Sequence, residues 1–556
     1  MKKIIILSII ISVYTLSQPA PPVAWLKTHN GNNLYDEITA MKVDEAGNVY
    51  VTGRCFINGS EDYCTIKYNA NGIQQWIAYY NGTANKSDRP VSLDADAQGN
   101  VYVTGFGNYD AGDPFNTGDY CTIKYNSGGV QEWVQIYTAP ANKRDYAYKV
   151  TLDINGNIYV TGACWFDTGR QDDIVTIKYN SAGQVLWTAL HNGTHGQNPS
   201  DRGSDIVIDG QGNVYVFGMS TLSTTYTDYC LVKYNSTGVL QYTKYYAGPV
   251  VNGIDNGTAM CMDNSGNIIV TGTSEGSGTS TDIVTIKYSP AGLEQWTKRF
   301  SNPGLDNAAD ITSDMNGSVY VSGNKSGKGL IIKYDPIGNL MWEKEITGTG
   351  GNETINNLLI DAMGDVYGTG KASSGSYFDF VTVKINPAGT VQWKASHNGS
   401  GNLNDFGNAI GIDASGNIYV SGSSVESWQN GNFCTIKYAP GTIGISQVSG
   451  IIPDNFSLSQ NYPNPFNPAT KIRFSIANLP FGEGPVRKDS FGGVGSRTKL
   501  IIYDILGRQV ETLVNEQIKP GTYEVDWNAV NYPSGVYFYK ITVNGFSETK
   551  KMILVK

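Results

Sequence analysis

Charge is scarce in this chain. Asp, Glu, Lys and Arg make up 16% of its 556 residues, against roughly 25% in an average soluble protein. Histidine is rarer, with four in all, and the seven cysteines are an odd number with no C-x-x-C spacing. Beyond the N-terminal run, no apolar stretch approaches the roughly 18 residues of a membrane helix, so no transmembrane segment is expected. In place of charge stand 65 Gly, 36 Tyr and much Asn, Ser and Thr. Gly and Asn build turns while Tyr and Thr favour strands, which excludes a helical bundle, a coiled coil and an acidic disordered chain. A net charge of −9 argues against nucleic acid as a partner.

Residues 1–17 read as a signal peptide: Lys2 and Lys3, an apolar run from Ile4 to Leu16, then Thr15 and Ser17 at the −3 and −1 positions of a cleavage site. Export permits disulfides, but the cysteines do not form a disulfide framework. Cys64, Cys121, Cys230 and Cys434 share one slot, as in "DYCTIKY", that Val175 and Val284 fill in other copies. Such a slot is a small buried hydrophobe. Cys55 and Cys64 flank one predicted loop, and their pairing is left open.

The middle of the chain is a repeat. "DEAGNVYVTG" at 44–53 returns seven more times, its Gly at 47, 99, 156, 212, 266, 317, 364 and 416, about 53 residues apart on average. Each copy continues into a strand ending in Lys-Tyr or Lys-Ile, a turn, and a strand centred on Trp76, Trp133, Trp187, Tyr242, Trp296, Trp342 or Trp393. A further apolar strand leads into the next copy. Four short strands at this period read as a propeller blade. The eighth copy lacks its aromatic strand, and the N-terminus supplies one around Trp25. The expectation is therefore an all-β chain with an eight-bladed β-propeller over 18–442, closed by an N-terminal strand. These copies resemble the SBBP family of β-propeller repeats; that family is named for seven blades, so a seven-bladed ring is the alternative.

After a predicted linker at 443–455, residues 456–556 change character: "NYPNPFNPAT", "IIYDILGRQVETL", "GTYEVDW", "SGVYFYKI" and "KKMILVK". Short alternating strands between Gly and Pro turns suggest a small antiparallel β-sandwich. Together the motifs resemble the type A C-terminal sorting domain of the type IX secretion system, apart from a Gly-rich insertion at 481–497. The resemblance implies the type IX machinery as partner and a secreted or outer-surface location. It also implies that the tail is usually removed and the cargo released or fixed to surface lipopolysaccharide.

Comparison among blades separates scaffold from site. The turn Asp recurs in all eight copies, from Asp44 to Asp413, and reads as a turn-closing residue. Lys67 and its seven equivalents share one solvated or bridging slot. His29, His191 and His397 occupy a position filled elsewhere by Tyr80, Tyr137, Tyr246 or Phe300, which is a packing slot. No catalytic motif is recognisable.

Two sets remain. Asp36, Asp88, Asp145, Asp201, Asp255, Asp306, Glu353 and Asp405 stand eight residues before each turn Asp. They form either a ring at a channel mouth, able to take a divalent cation such as calcium, or eight separate strand-entry caps. No other cofactor is expected. The second set is aromatic: Phe56, Phe106, Tyr109, Phe115, Trp165, Phe166, Tyr226 and Trp428 lie in the long connections of blades eight and one to four. Exposed rings among Asn and Asp suit a glycan or a protein partner. The expected role is a non-catalytic binding or adhesion module, with a monomeric propeller. The competing classes are a polysaccharide-degrading enzyme using loop carboxylates and a cation-stabilised structural surface protein.

Overall fold

The structure is a computed structural model. It describes residues 20–556 except 33, 58, 110–116, 142, 167–171, 194–199, 223–225, 279, 428–429, 440–445, 450–451, 478–495, 519, 530–531 and 544–545. The signal-peptide residues 1–17 and most of the Gly-rich insertion lie outside that set. No helix among the described residues is long and apolar enough to cross a membrane. The chain divides into two units, residues 1–439 and 440–556.

Among the described residues the first unit is a β-propeller with eight antiparallel four-stranded sheets. The innermost strands of blades one to eight are Glu37–Val43, Ser87–Ala95, Asp145–Leu152, Arg202–Ile208, Asp255–Met262, Asp306–Ser313, Thr354–Ile360 and Asp405–Ile412. Each contacts the next, and the eighth contacts the first, so the ring is closed. The outermost strand of blade eight is the N-terminal Val23–His29, which pairs antiparallel with Asn430–Tyr438, Leu26 opposite Ile436 and His29 opposite Phe433. A closed ring leaves each blade with a covered edge.

The recurring sequence explains the packing between blades. The turn Asp accepts hydrogen bonds two and four residues on, as Asp96 does from the backbone of Gln98 and Asn100, and Tyr102 donates its hydroxyl to the same side chain. The outer-strand Trp packs on the turn of the following blade. Trp76 and Trp133 donate their indole N–H to the carbonyls of Ser127 and Ser181 at 3.1 and 3.2 Å. The Lys slot is a bridge: Lys124 Nζ sits 5.6 Å from the Tyr102 ring and 3.1 Å from the same Ser181 carbonyl. Gly129 ends the turn that holds Ser127 at φ +82°, and a Cβ there would come within 2.5 Å of the Trp76 ring. Glycine meets both requirements at once.

The second unit is a sandwich of two four-stranded sheets. Ala469–Ile476 alternates exposed and buried residues, as a half-buried strand should. Ile472, Phe474, Leu500, Ile502, Trp527, Tyr539 and Met552 share its core. In "NYPNPFNPAT", Asn461 is buried and donates its side-chain N–H to Pro463 O and Thr470 Oγ1, while Phe466 packs 5.4 Å from the Trp527 ring. One boundary differs from the sequence reading. Ser446–Ser449, inside the predicted linker 443–455, forms a strand paired with Gly521–Asn528. A four-residue edge strand of mostly polar composition gives no alternation to detect.

Candidate functional site

The Gly turns, two in blades one to seven and one in blade eight, occupy one face and the remaining connections the other, where the eight acids begin the innermost strands. These acids do not stand open around a mouth: none is more than 2% exposed. Most carboxylates join the two long connections of their own blade through backbone N–H groups. Asp36 accepts from Gly31 (2.5 Å) and Phe56 (3.0 Å), Asp88 from Gly82 (2.5 Å) and Asn108 (2.8 Å), and Asp145 from Ala139 (2.6 Å) and Trp165 (3.1 Å). Asp201 clamps Gly193 and Thr221, and Asp405 clamps Gly399 and Val425, in the same way. Asp255 binds the Gly248 N–H, Asp306 the Ser326 N–H and the Asn302 amide, and Glu353 the N–H groups of Gly348 and Gly351 and the Ser373 hydroxyl.

Burial and hydrogen bonding compete in setting the pKa of these groups. Burial dominates at Asp36, Asp88 and Asp306, which lie above the carboxylate range, and pushes Asp145 up to about 7. At Glu353 burial also raises the pKa, but the Ser373 hydroxyl and the backbone N–H groups outweigh it and hold the group below its usual value.

The clamps place the aromatic residues, since the N–H groups they hold are those of Phe56, Trp165 and the residue before Tyr109. Phe56, Tyr109, Trp165 and Phe166 are half-buried, and Tyr226 is 62% exposed. Phe115 and Trp428 lie outside the described residues. The rings are not isolated. Phe106 packs 4.4 Å from Tyr146, with Tyr109 edge-on to Phe106 at 5.7 Å. Phe166 packs against the core of blade three.

What the sequence reading missed is arginine. Arg89 lies 4.7 Å from the Tyr109 ring and Arg144 5.0 Å from Trp165, while Arg54 and Arg202 stand over Tyr35 and Tyr148. Acids hold three of these guanidinium groups in place: Arg144 is bidentate to Asp172 at 2.9 and 2.7 Å, and Glu61 bridges Arg54 and Arg89. The signal was adjacency, because Arg89 and Arg202 directly follow ring acids and Arg144 directly precedes one. A smaller cation–aromatic group lies in blades seven and eight, with Lys371 Nζ 4.5 Å from Phe378 and 5.7 Å from Phe406.

Blade five, which lacks these rings, has a cleft of about 520 Å³ lined by Ile254, Asn256, Thr273, Glu275, Ser280 and Thr281. A third charged set lies deeper on the innermost strands, where each strand carries a β-bulge. Lys42 pairs with Asp94 at 2.9 Å and Lys149 with Asp205 at 3.5 Å, and burial pushes Asp310 up to about 6.

Residues 460–556 match the family described as the secretion system C-terminal sorting domain, and residues 132–163 match the SBBP β-propeller repeat. An uncharacterised WD repeat-containing protein, L264, of Acanthamoeba polyphaga mimivirus is 25% identical over 33% of this chain and 13% of its own length. This chain therefore spans a small part of that relative. Among solved structures, PorZ, a bacterial surface component of the type IX secretion system of Porphyromonas gingivalis, is 14% identical with a TM-score of 0.41, over 93% of this chain and 70% of that one. Prolyl oligopeptidase B from Galerina marginata is 9% identical with a TM-score of 0.35, over 63% of this chain and 46% of that one. The matched tail is a type IX sorting domain that directs export to the cell surface or the medium, and the chain that carries it is a β-propeller protein with an SBBP-type repeat.

Proposed function

We propose that the exported propeller is a non-catalytic binding module that takes a glycan, or a protein segment, on the long-connection face of blades one to four. The observation that carries this reading is the run of half-buried aromatic rings with guanidinium groups over them, from Tyr35 and Arg54 through Tyr109 and Arg89 to Trp165 and Arg144. Rings offer flat apolar faces to the C–H face of a sugar or to a partner's side chains, and guanidinium groups add fixed donors for hydroxyl or carboxylate oxygens. Preorganisation supports the same reading at Phe56, Asn108 and Trp165, whose backbone N–H groups are tied to buried carboxylates and have little order to gain on binding.

Catalysis by paired loop carboxylates is the weaker reading. Glycoside hydrolysis ordinarily employs two carboxyl groups about 5–9.5 Å apart. The blade-five cleft offers one, Glu275, whose carboxylate already accepts the Ile254 N–H at 3.2 Å. The ring acids are buried and engaged with backbone N–H groups.

A glycan array probed with the full chain, beside a reducing-sugar release assay on the same polysaccharides, tests the proposal. Binding that falls tenfold or more in Trp165→Ala and Tyr109→Ala, with no sugar released, is the expected result. Sugar release that survives those changes but is lost in Glu275→Gln would overturn it.

A further inference from the structure

Where blade eight meets blade one, three ligating side chains converge. His29 is on the N-terminal strand that completes blade eight; Cys55 and Cys64 are on neighbouring strands of blade one. A ring nitrogen of His29 and the two sulfurs all lie within 4.8 Å of one another, and both cysteines are fully buried as free thiols. Asp36 is next to them: its carboxylate hydrogen-bonds Cys55, and a Cβ on Gly31 would lie 3.3 Å from both the Asp36 carboxylate and Cys55 Cβ.

The repeat supplies seven internal controls for this junction. In chain order the same three slots hold Tyr80, Gly107 and Cys121; Tyr137, Cys164 and Val175; His191, Ser220 and Cys230; Tyr246, Ser274 and Val284; Phe300, Lys325 and Leu330; Ile346, Ala372 and Val381; and His397, Ser424 and Cys434. At the other seven junctions these slots thus take apolar, hydroxyl, glycine or lysine residues, or a single thiol with or without an imidazole. Imidazole and two thiols occur together at one junction, where the N-terminal strand, held to the rest of blade eight by strand pairing alone, runs on into blade one. Packing does not require that combination.

We propose that His29, Cys55 and Cys64 bind one Zn²⁺ ion that ties the N-terminal strand of blade eight to blade one, with Asp36 or water as the fourth ligand. Two thiolates, one imidazole and an oxygen donor make a tetrahedral zinc set. Bonds of about 2.0–2.3 Å put ligand atoms about 3.3–3.8 Å apart, so the side chains need to close by at most about 1–1.5 Å. Two thiolates also neutralise the ion, which removes the cost of burying a bare charge. Binding releases the thiol protons, and because the ligands come together only in the folded propeller its free energy adds to folding stability.

The test is metal retention by the full chain, purified with reductant, equilibrated with Zn²⁺ and dialysed. One zinc per chain is expected, and Co²⁺ in its place should give the near-ultraviolet thiolate-to-metal absorption. The double variant Cys55→Ser, Cys64→Val carries residues that other junctions already use in those slots, so it should fold, confirmed by circular dichroism. It should lose both signals about tenfold or more, whereas Cys121→Val should keep them. Retention below a tenth of an equivalent by the reduced chain, or equal retention by the double variant, would overturn the proposal. So would recovery of Cys55 and Cys64 joined as a disulfide in exported protein, seen as a mass two units lower that reductant restores.

Discussion

The indole N–H of Trp25 donates to the carbonyl oxygen of Ala70 at 3.0 Å. Trp25 stands on the N-terminal strand, which completes blade eight, and Ala70 in a turn of blade one. The contact repeats Trp76 on Ser127 and Trp133 on Ser181, so the seam has the chemistry of an internal junction. A Cβ on Gly72 would fall 2.7 Å from the Trp25 ring, so the two surfaces are in close contact.

Trp25→Ala should therefore cost about as much as an internal change. Both Trp25→Ala and Trp133→Ala remove a half-buried indole and its hydrogen bond, and each should lower unfolding stability by about 2–3 kcal/mol, under the 3–5 kcal/mol of a fully buried Trp. Denaturant unfolding of the two variants side by side checks this. A seam variant indistinguishable from the parent would show that the N-terminal strand does not hold the ring closed.

The buried carboxylates should matter to the loops more than to a ligand. Asp88→Ala leaves the N–H groups of Gly82 and Asn108 without their acceptor. At about 1.5–3 kcal/mol for each hydrogen bond to a charged group, a loss of roughly 3–6 kcal/mol is expected. Hydrogen exchange at Gly82 and Asn108 should rise while the turn at Asp96 stays protected. Uniform loosening of all blades would argue against a local clamp.

Asp145 gives a pH signature. Its carboxyl is raised to about 7 by burial, against hydrogen bonds from Ala139, Cys164 and Trp165 that lower it. Between about pH 4 and 7 the folded chain holds a proton that the unfolded chain has lost, so this group's contribution is full below pH 4 and falls as pH rises towards 7. The slope reaches about 1.4 kcal/mol per pH unit. Asp145→Asn should flatten that part of the stability profile, with the two profiles parallel above about pH 7. A parent–variant difference constant from pH 4 to 8 would contradict the assignment.

Much of this was legible in the sequence. Eight copies of one phrase, and an eighth copy lacking its Trp strand while the N-terminus carried a spare, gave the ring and its seam. The Asp, Gly, Lys and Trp of the repeat each have one local task, so their recurrence exposed the scaffold. The ring acids were found but not their burial, because burial depends on which loop backbone folds over each carboxylate, and those loops differ from blade to blade. Arg54, Arg89 and Arg144 escaped notice because their partners are brought near by the stacking of strands and blades. His29 and Cys64 were each explained by their own slot, and Cys55 was weighed only as a disulfide partner of Cys64. The three side chains meet where the N-terminal strand packs on blade one, and a copy-by-copy comparison cannot register that.

Export tests the account most directly. The chain and a truncation lacking 456–556 can be expressed in a bacterium with a working type IX system, and each followed in the periplasm, on the surface and in the medium. The account predicts the full chain on the surface or in the medium and the truncated propeller held, folded, in the periplasm. A truncated propeller displayed or released as efficiently as the full chain would contradict it.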